Sequence, residues 1–133
     1  MVIPITLFYT SVFAVFALAL SFRAGAARGK SGESLLYGSP NNMLLVEKVR
    51  AHQNFLEYVP MLLLMFAAIE ANGGSATFLY VMGGILFVAR VAHAIGLKHD
   101  NMAHPGRFIG AAGTALTTLV VAGYGLWLVF PAL

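Results

Sequence analysis

The residues able to do chemistry concentrate in one stretch of the sequence, between positions 47 and 60. Glu47, Arg50, Asn54 and Glu57 are spaced 3, 4 and 3 residues apart. An α-helix has 3.6 residues per turn, so all four would lie on one stripe of a helix. Carboxylate, guanidinium and amide groups on a common stripe either bind a charged ligand or form a polar network between helices.

Two arginines later in the chain extend this set. Arg90 is followed by His93 three residues on, which places both on one helix face, and Arg107 opens the last apolar segment. Guanidinium groups bind carboxylates through paired hydrogen bonds. An anion-binding site formed by Arg50, Arg90 and Arg107 is therefore one prediction, and a polar network that only fixes the register of the helices is the other.

The composition determines which elements must position these side chains. The chain has 133 residues, of which 59% are hydrophobic and 10% charged, whereas about 25% are charged in an average soluble domain. Such a sequence cannot cover a small soluble domain with polar groups, and it is too apolar for disorder. It predicts an integral membrane protein, and the absence of cysteine excludes disulfides and protein thiolates.

Four apolar segments predict an all-α membrane domain that comprises the whole chain. A bilayer span takes about 20 apolar residues, so this length leaves no room for a separate soluble domain. The first segment carries no charge and no basic residue precedes it, which favours a membrane helix over a signal peptide. The predicted domain is 1–133, with helices at 3–23, 43–71, 76–97 and 107–130 and a turn-like sequence at 38–42 within the first loop.

The basic residues predict how these helices cross the membrane. The loop after the first helix carries Arg23, Arg28 and Lys30, and the loop after the third is flanked by Lys98 and Arg107. Loops rich in Lys and Arg face the cytoplasm. Both of these loops are therefore expected in the cytoplasm and both termini in the periplasm, so the net charge of +3 reports topology and predicts no nucleic-acid partner.

Glu57 poses the main energetic problem of this arrangement. It lies ten residues after Glu47, about 15 Å along a helix, which places its carboxylate inside the hydrocarbon. An unpaired charge there costs at least about 2.5–3.5 kcal/mol. Arg90 is expected at a similar depth in the antiparallel third helix, so we predict that Glu57 and Arg90 lie on facing surfaces.

The run RAHQNFLEYVP at residues 50–60 resembles the signature R-A-H-x-N-x-x-E-x-x-P of the MAPEG family, the membrane-associated proteins in eicosanoid and glutathione metabolism. The RVAH run at residues 90–93 and Arg107 are further matches. The four-helix layout agrees as well, so the resemblance covers essentially the whole chain and is greatest to small bacterial members.

The resemblance implies a homotrimer in the bacterial inner membrane that binds glutathione between neighbouring subunits. Arginines would hold the two glutathione carboxylates, and Glu57 and Asn54 would take its amino group or order the arginines. Arg107 is also the candidate to stabilise the thiolate. The implied contacts are Arg23 on helix 1, Arg50, Asn54 and Glu57 on helix 2, Arg90 and His93 on helix 3, and Arg107 on helix 4.

The family's chemistry requires no nucleophile from the protein. The resemblance implies conjugation of glutathione to a lipophilic small molecule, or reduction of a lipophilic peroxide. The thiol arrives with glutathione, so the protein need only lower the pKa of that thiol and hold the apolar electrophile beside it. This agrees with a chain that contains no cysteine.

Three departures from the family's pattern keep a second function open. In the catalytic members of the family that this chain resembles, tyrosine or serine side chains donate hydrogen bonds to the thiolate. At the corresponding positions this chain has Leu97, Phe108 and Ala111. Tyr58 is the nearest tyrosine, but it lies off the polar stripe and is expected to contact a neighbouring subunit or lipid. The alternative is a non-catalytic MAPEG-fold protein, either lipid-binding or an accessory subunit of a larger membrane complex.

Two other readings are less favoured by the residues. A small multidrug transporter also has four short helices, but such proteins carry their key glutamate in helix 1, and helix 1 here has no charge. No metal site is predicted, because His93, His99 and His104 match no strong metal-binding spacing. His99 and His104 are expected to be solvated loop residues.

Overall fold

The computed structural model describes residues 2–33 and 41–132. It contains α1 (Pro4–Ser31), α2 (Met43–Ala71), α3 (Ala76–Gly96) and α4 (Pro105–Val129), followed by a short 3-10 turn at Phe130–Ala132. All regular structure in this part of the chain is helical, so the all-α prediction is confirmed. The turn predicted at 38–42 lies mostly outside the described residues.

Each of the four helices is long and apolar enough to cross a membrane. Their lengths run from 21 to 29 residues, which corresponds to about 30 Å or more at 1.5 Å per residue. Many of their large apolar side chains are exposed, as a helix that faces lipid requires.

The first helix is longer than predicted. The sequence indicated a loop from Arg23 onward, but α1 continues to Ser31, because alanine, arginine and lysine are good helix formers and no proline intervenes. Arg28 and Lys30 occupy its last turn, where cations favour the helix dipole. Gly32 ends the helix in the left-handed conformation at φ 67° and its N–H donates to the Arg28 carbonyl, a common helix stop.

The start of α1 is capped by a side chain from the end of another helix. The residue before α1 offers no side-chain cap. Instead, the Glu70 carboxylate on α2 accepts hydrogen bonds from the backbone N–H groups of Ile5 at 2.9 Å and Thr6 at 2.7 Å. A carboxylate at this position satisfies first-turn donors and favours the positive end of the helix dipole.

Glycines bring α3 and α4 together at the end of the bundle where α3 ends and α4 begins. A Cβ added at Gly96 would overlap the backbone of Gly106 and Arg107, and one at Gly110 would overlap His93. Small residues let membrane helices approach this closely. The approach places His93 directly against the first turns of α4, beside Arg107.

Candidate functional site

An open groove lies where α2 begins, α3 ends and α4 begins, and we call it the polar groove. Its volume is about 360 Å³. Polar and apolar side chains both line it, and the basic ones outnumber the carboxylate. The lining residues are Met43, Val46, Glu47, Arg50 and Asn54 from α2, His93 from α3, Leu97, Lys98 and His99 from the following loop, and Arg107 and Ala111 from α4.

A smaller space, which we call the inner cavity, lies beside the polar groove, deeper along the bundle. It has a volume of about 90 Å³ and shares Asn54, His93 and Ala111 with the groove. The remaining lining residues are Tyr58, Arg90, Thr114 and Ala115. The two spaces therefore adjoin across three common side chains.

Arg90 is the charged residue at the centre of the inner cavity. It is 1% exposed, Nη2 donates to Asn54 Oδ1 at 2.9 Å, and Nη1 donates to Thr114 Oγ1 at 3.4 Å. Its guanidinium carbon lies 5.8 Å from the centroid of the Phe55 ring, within cation–π range. Its Nε has no hydrogen-bond partner among the described residues.

His93 lies between the two spaces and contributes to both. It is 6% exposed, because Gly110 admits its backbone against α4. Its Nδ1 makes no hydrogen bond to any residue in the described ranges. Arg90 and His93, which both line the inner cavity, thus each have a buried nitrogen atom without a hydrogen-bond partner among the described residues.

The sequence predicted that Glu57 and Arg90 lie on facing surfaces, where they could pair. In the structure Glu57 does not form an ion pair with Arg90. Its Oε1 lies 3.7 Å from Arg50 Nη1, two turns earlier on α2, and the two side chains are 48% and 54% exposed. Within residues 2–33 and 41–132 no ion pair joins Glu57 to Arg90. Glu57 is near enough to act on the Arg90 charge through space, as the similar depths predict, but Asn54 makes the direct contact with the Arg90 guanidinium.

The mouth of the polar groove is held by a contact between α2 and the loop after α3. Glu47 is 6% exposed, with Oε2 at 3.0 Å from His99 Nδ1 and Oε1 at 3.9 Å from Lys48 Nζ. His99 was expected to be solvated. The sequence offered one signal for this contact, since Glu47 shares the polar stripe with Arg50 and so faces the same groove.

The candidate site residues fall into four groups in the structure. Arg50, Asn54, His93 and Arg107 line the polar groove. Arg90 lies in the inner cavity, and Glu57 reaches the groove only through Arg50. The remaining candidate, Arg23, is exposed on α1 and lines neither space.

Tyr58 lines the inner cavity and is also 46% exposed, which leaves it free to contact a neighbouring subunit or lipid, as the sequence indicated. It follows Asn54 by four residues, one helical turn, and this spacing was the available signal. Leu97 and Ala111 do line the polar groove, whereas Phe108 is 75% exposed. The groove thus has apolar side chains at two of the three positions where the family resemblance implies donors to a thiolate.

The charges of the polar groove determine which ligands it can hold. Arg50, Lys98 and Arg107 are cationic, and Glu47 is the one carboxylate among its lining residues. Arginine forks and a lysine suit carboxylates and phosphates. In the described part of the chain, no group of three or more His, Asp or Glu side chains could hold a metal ion.

Comparisons with known proteins agree with the four-helix arrangement. The model of the MAPEG family matches residues 6–127. Two Escherichia coli proteins named Inner membrane protein YecN, from strain K12 and from strain O6:H1 (CFT073), are each 25% identical over 120 residues, which is 89% of this chain and 90% of theirs. No solved structure matches the chain significantly.

Proposed function

Since this chain belongs to the MAPEG family, we propose that it binds glutathione or a related thiol in the polar groove. We further propose that it conjugates the thiol to lipophilic electrophiles or uses it to reduce lipophilic peroxides. The observation that carries this proposal is the convergence of Arg50, Asn54, His93 and Arg107 from three helices on one groove.

The groove fits the chemistry of such a ligand. Its volume of about 360 Å³ lies in the range of small-molecule sites, roughly 300–1,000 Å³. Arg50, Lys98 and Arg107 offer guanidinium and ammonium donors for two carboxylates. The half-exposed Glu57 carboxylate would take an ammonium group, and its contact with Arg50 orders one of the arginines.

The protein's part in the reaction would be electrostatic and positional. Glutathione supplies the thiol when it is bound. The cationic Arg107 favours the thiolate form of a nearby sulfur. Leu97, Met43 and Val46 give the groove an apolar wall, which holds a lipophilic electrophile close to the thiol and raises its effective concentration.

The half-exposed charges on α2 support an assembly in which copies share sites, and we propose three copies because the family resemblance implies a homotrimer. Arg50 and Glu57 are 54% and 48% exposed on a helix long and apolar enough to span a membrane, and charges facing lipid are costly. A neighbouring copy would cover them, and Arg23 of that copy would then be available to the groove. Native mass spectrometry should detect three chains per particle; a monomer would contradict the shared site.

The location that we propose is the bacterial inner membrane, since the relatives from Escherichia coli are named inner membrane proteins. Both polar loops would face the cytoplasm, where glutathione is available, and both termini the periplasm. Lipid would surround the exposed apolar faces of the helices.

A second candidate function is favoured by the lining of the groove. Leu97 and Ala111 are apolar and Phe108 points outward, so these positions offer no hydroxyl to a thiolate. In this alternative the protein binds its ligand without turnover, as a lipid-binding protein or as an accessory subunit of a larger membrane complex.

Titration and turnover distinguish the two. The purified protein in detergent would be titrated calorimetrically with glutathione and assayed with a halonitrobenzene electrophile. We expect binding, weakened at least about tenfold by Arg107→Ala or Arg50→Ala, or about 1.4 kcal/mol. Lys30→Ala removes an equal charge from the exposed end of α1 and should leave binding unchanged.

Binding without turnover would favour the second function. An absence of binding at millimolar glutathione, with both arginine variants behaving like the native protein, would remove glutathione from the proposal.

A further inference from the structure

We infer that the inner cavity is a binding site for a compact monoanion, held by Arg90 and His93. Two sources can supply such an anion: a halide ion from solution, or the sulfur of a thiolate bound in the adjoining groove. The second source rests on the proposed function, and the first does not.

The charge of Arg90 is the first reason. A guanidinium remains protonated in proteins, and this one is 1% exposed. The groups it contacts are the neutral side chains of Asn54, Thr114 and Phe55. No carboxylate oxygen lies within ion-pair distance of it in the described part of the chain. The Glu57 carboxylate acts on it only through space, and a buried charge without a direct counter-charge is unfavourable.

The unsatisfied nitrogens are the second reason. Arg90 Nε and His93 Nδ1 have no hydrogen-bond partners among the described residues, and both side chains are more than nine-tenths buried and line the same cavity. Buried donors in proteins are almost always hydrogen-bonded. An anion in the cavity would accept from both nitrogens when the His93 proton is on Nδ1, and would neutralise the guanidinium.

The size of the cavity limits what this anion can be. A volume of about 90 Å³ exceeds the roughly 10–15 Å³ that one water needs. It is far below the roughly 300 Å³ of the smallest ordinary ligand sites. A halide or a single sulfur therefore fits, whereas a whole tripeptide does not. The Tyr58 hydroxyl adds a donor, whereas the Thr114 hydroxyl already donates to the Gly110 carbonyl. The methyl groups of Ala111 and Ala115 complete the lining.

The position of the cavity connects it to the polar groove. Asn54, His93 and Ala111 line both spaces, so a ligand in the groove borders the cavity. A thiol group carried by that ligand would reach the cavity, where the Tyr58 hydroxyl would donate a hydrogen bond to the sulfur. Tyr58 would thus replace the hydroxyl donors that are missing at Leu97 and Ala111.

Halide-dependent stability tests the site without glutathione. The full-length protein in detergent would be unfolded thermally at constant ionic strength in sodium bromide, sodium chloride or sodium gluconate. A bound halide raises Tm with saturating concentration dependence, and we expect a rise of a few degrees over gluconate. Crystals grown in bromide should show an anomalous peak within hydrogen-bond distance of Arg90.

Two variants on α4 make the test specific. Ala115→Leu narrows the inner cavity without touching Arg90 or lining the groove, so it should abolish the halide-dependent rise. Ala112 is exposed like Ala115 but lines neither space, so Ala112→Leu adds the same side chain outside the cavity and should retain the rise. Arg90→Gln should also lose it, and Ala115→Leu keeps the test decisive if Arg90→Gln fails to fold.

Competition identifies the source of the anion. If the thiolate occupies the cavity, glutathione should abolish the bromide effect and the bromide peak, while S-methylglutathione should leave both intact. If a halide is the resident anion, neither tripeptide should displace it.

The inference is overturned if Tm is the same in all three salts and glutathione binds no more tightly than its S-methyl derivative. It is also overturned if Ala115→Leu keeps the full halide effect. Failure of glutathione to bind at all would refute the proposed function while leaving the halide result to stand by itself.

Discussion

At the scale of single residues, the contact between Arg90 and Asn54 changes how the charges of this protein are understood. The sequence indicated one buried pair, Glu57 with Arg90. The structure has two separate contacts, Arg90 with Asn54 at 2.9 Å and Glu57 with Arg50 at 3.7 Å. Residue spacing gives the depth of a side chain in a helix, but the rotation of the helix depends on packing that the spacing does not contain.

The residues of the candidate site were predictable to different degrees. The spacing of Arg50 and Asn54 and that of Arg90 and His93 indicated shared faces, and these side chains line the two adjoining spaces. His99 was not predictable, because its contact with Glu47 depends on the path of a loop. No local pattern indicates how such a path folds back on α2.

Leu97 allows a direct test of the missing thiolate donor. It lines the polar groove, so Leu97→Tyr would place a phenol there. Removing one such donor typically costs an enzyme about 10²–10³ in kcat. We therefore expect Leu97→Tyr to raise kcat/KM for halonitrobenzene conjugation at least about tenfold. Leu97→Phe adds the ring without the hydroxyl, and an equal rise in that variant would show that hydrogen bonding to the sulfur is not limiting.

At the scale of the helices, α2, α3 and α4 begin and end within two residues of the predicted limits, because polar or turn-forming sequences flank each apolar run. The end of α1 was missed by eight residues, from 23 to 31. The sequence of its last turns is rich in glycine and charge, which indicated a loop. Alanine and basic residues outweigh the glycines there, and Ala24 and Ala27 pack in a small apolar cluster with Leu45 and Val49 of α2.

The close approach of α3 and α4 predicts a strong effect at Gly110. Gly110→Ala would force a Cβ into the His93 backbone, and overpacking of this kind costs about 1–3 kcal/mol. We expect this variant to lower the free energy of unfolding and to weaken glutathione binding, since His93 would be displaced. The measurements are denaturant unfolding in detergent and calorimetric titration.

Gly123 provides the matched control on the same helix. A Cβ at Gly123 would have no neighbour within 4 Å, and alanine stabilises a helix interior relative to glycine by roughly 0.5–1 kcal/mol. Gly123→Ala should therefore be neutral or stabilising. If Gly110→Ala and Gly123→Ala lower the free energy of unfolding equally, then separation of α3 from α4 does not explain the effect of Gly110→Ala.

At the scale of the whole molecule, the two ends of the bundle differ in character. The basic side chains and the polar groove lie towards the end where α1 terminates and α2 begins. The opposite end carries Glu70 and no Lys or Arg. Composition alone was sufficient to predict a four-helix membrane protein, because so few charges cannot cover a soluble domain. The number of subunits could not be derived from composition, since it depends on surfaces that only the fold brings together.

The orientation of the molecule in the membrane can be measured with single cysteines, because the native chain has none. The positive-inside rule predicts that Asp100→Cys faces the cytoplasm and Ala76→Cys the periplasm. Both positions are exposed. In intact bacterial cells an impermeant maleimide should label Ala76→Cys, and it should label Asp100→Cys only after the inner membrane is disrupted. The reverse pattern would invert the topology, and the native protein should remain unlabelled.

The contact between Glu70 and the start of α1 also bears on how the chain is assembled during synthesis. The backbone N–H groups of Ile5 and Thr6 are synthesised early in α1, but their acceptor is a carboxylate 64 to 65 residues later. α1 thus enters the bilayer with its leading turn unsatisfied, and water at the membrane surface must solvate it until α2 has been translated. The first turn of α1 is therefore satisfied only once the end of α2 has been synthesised and lies beside it.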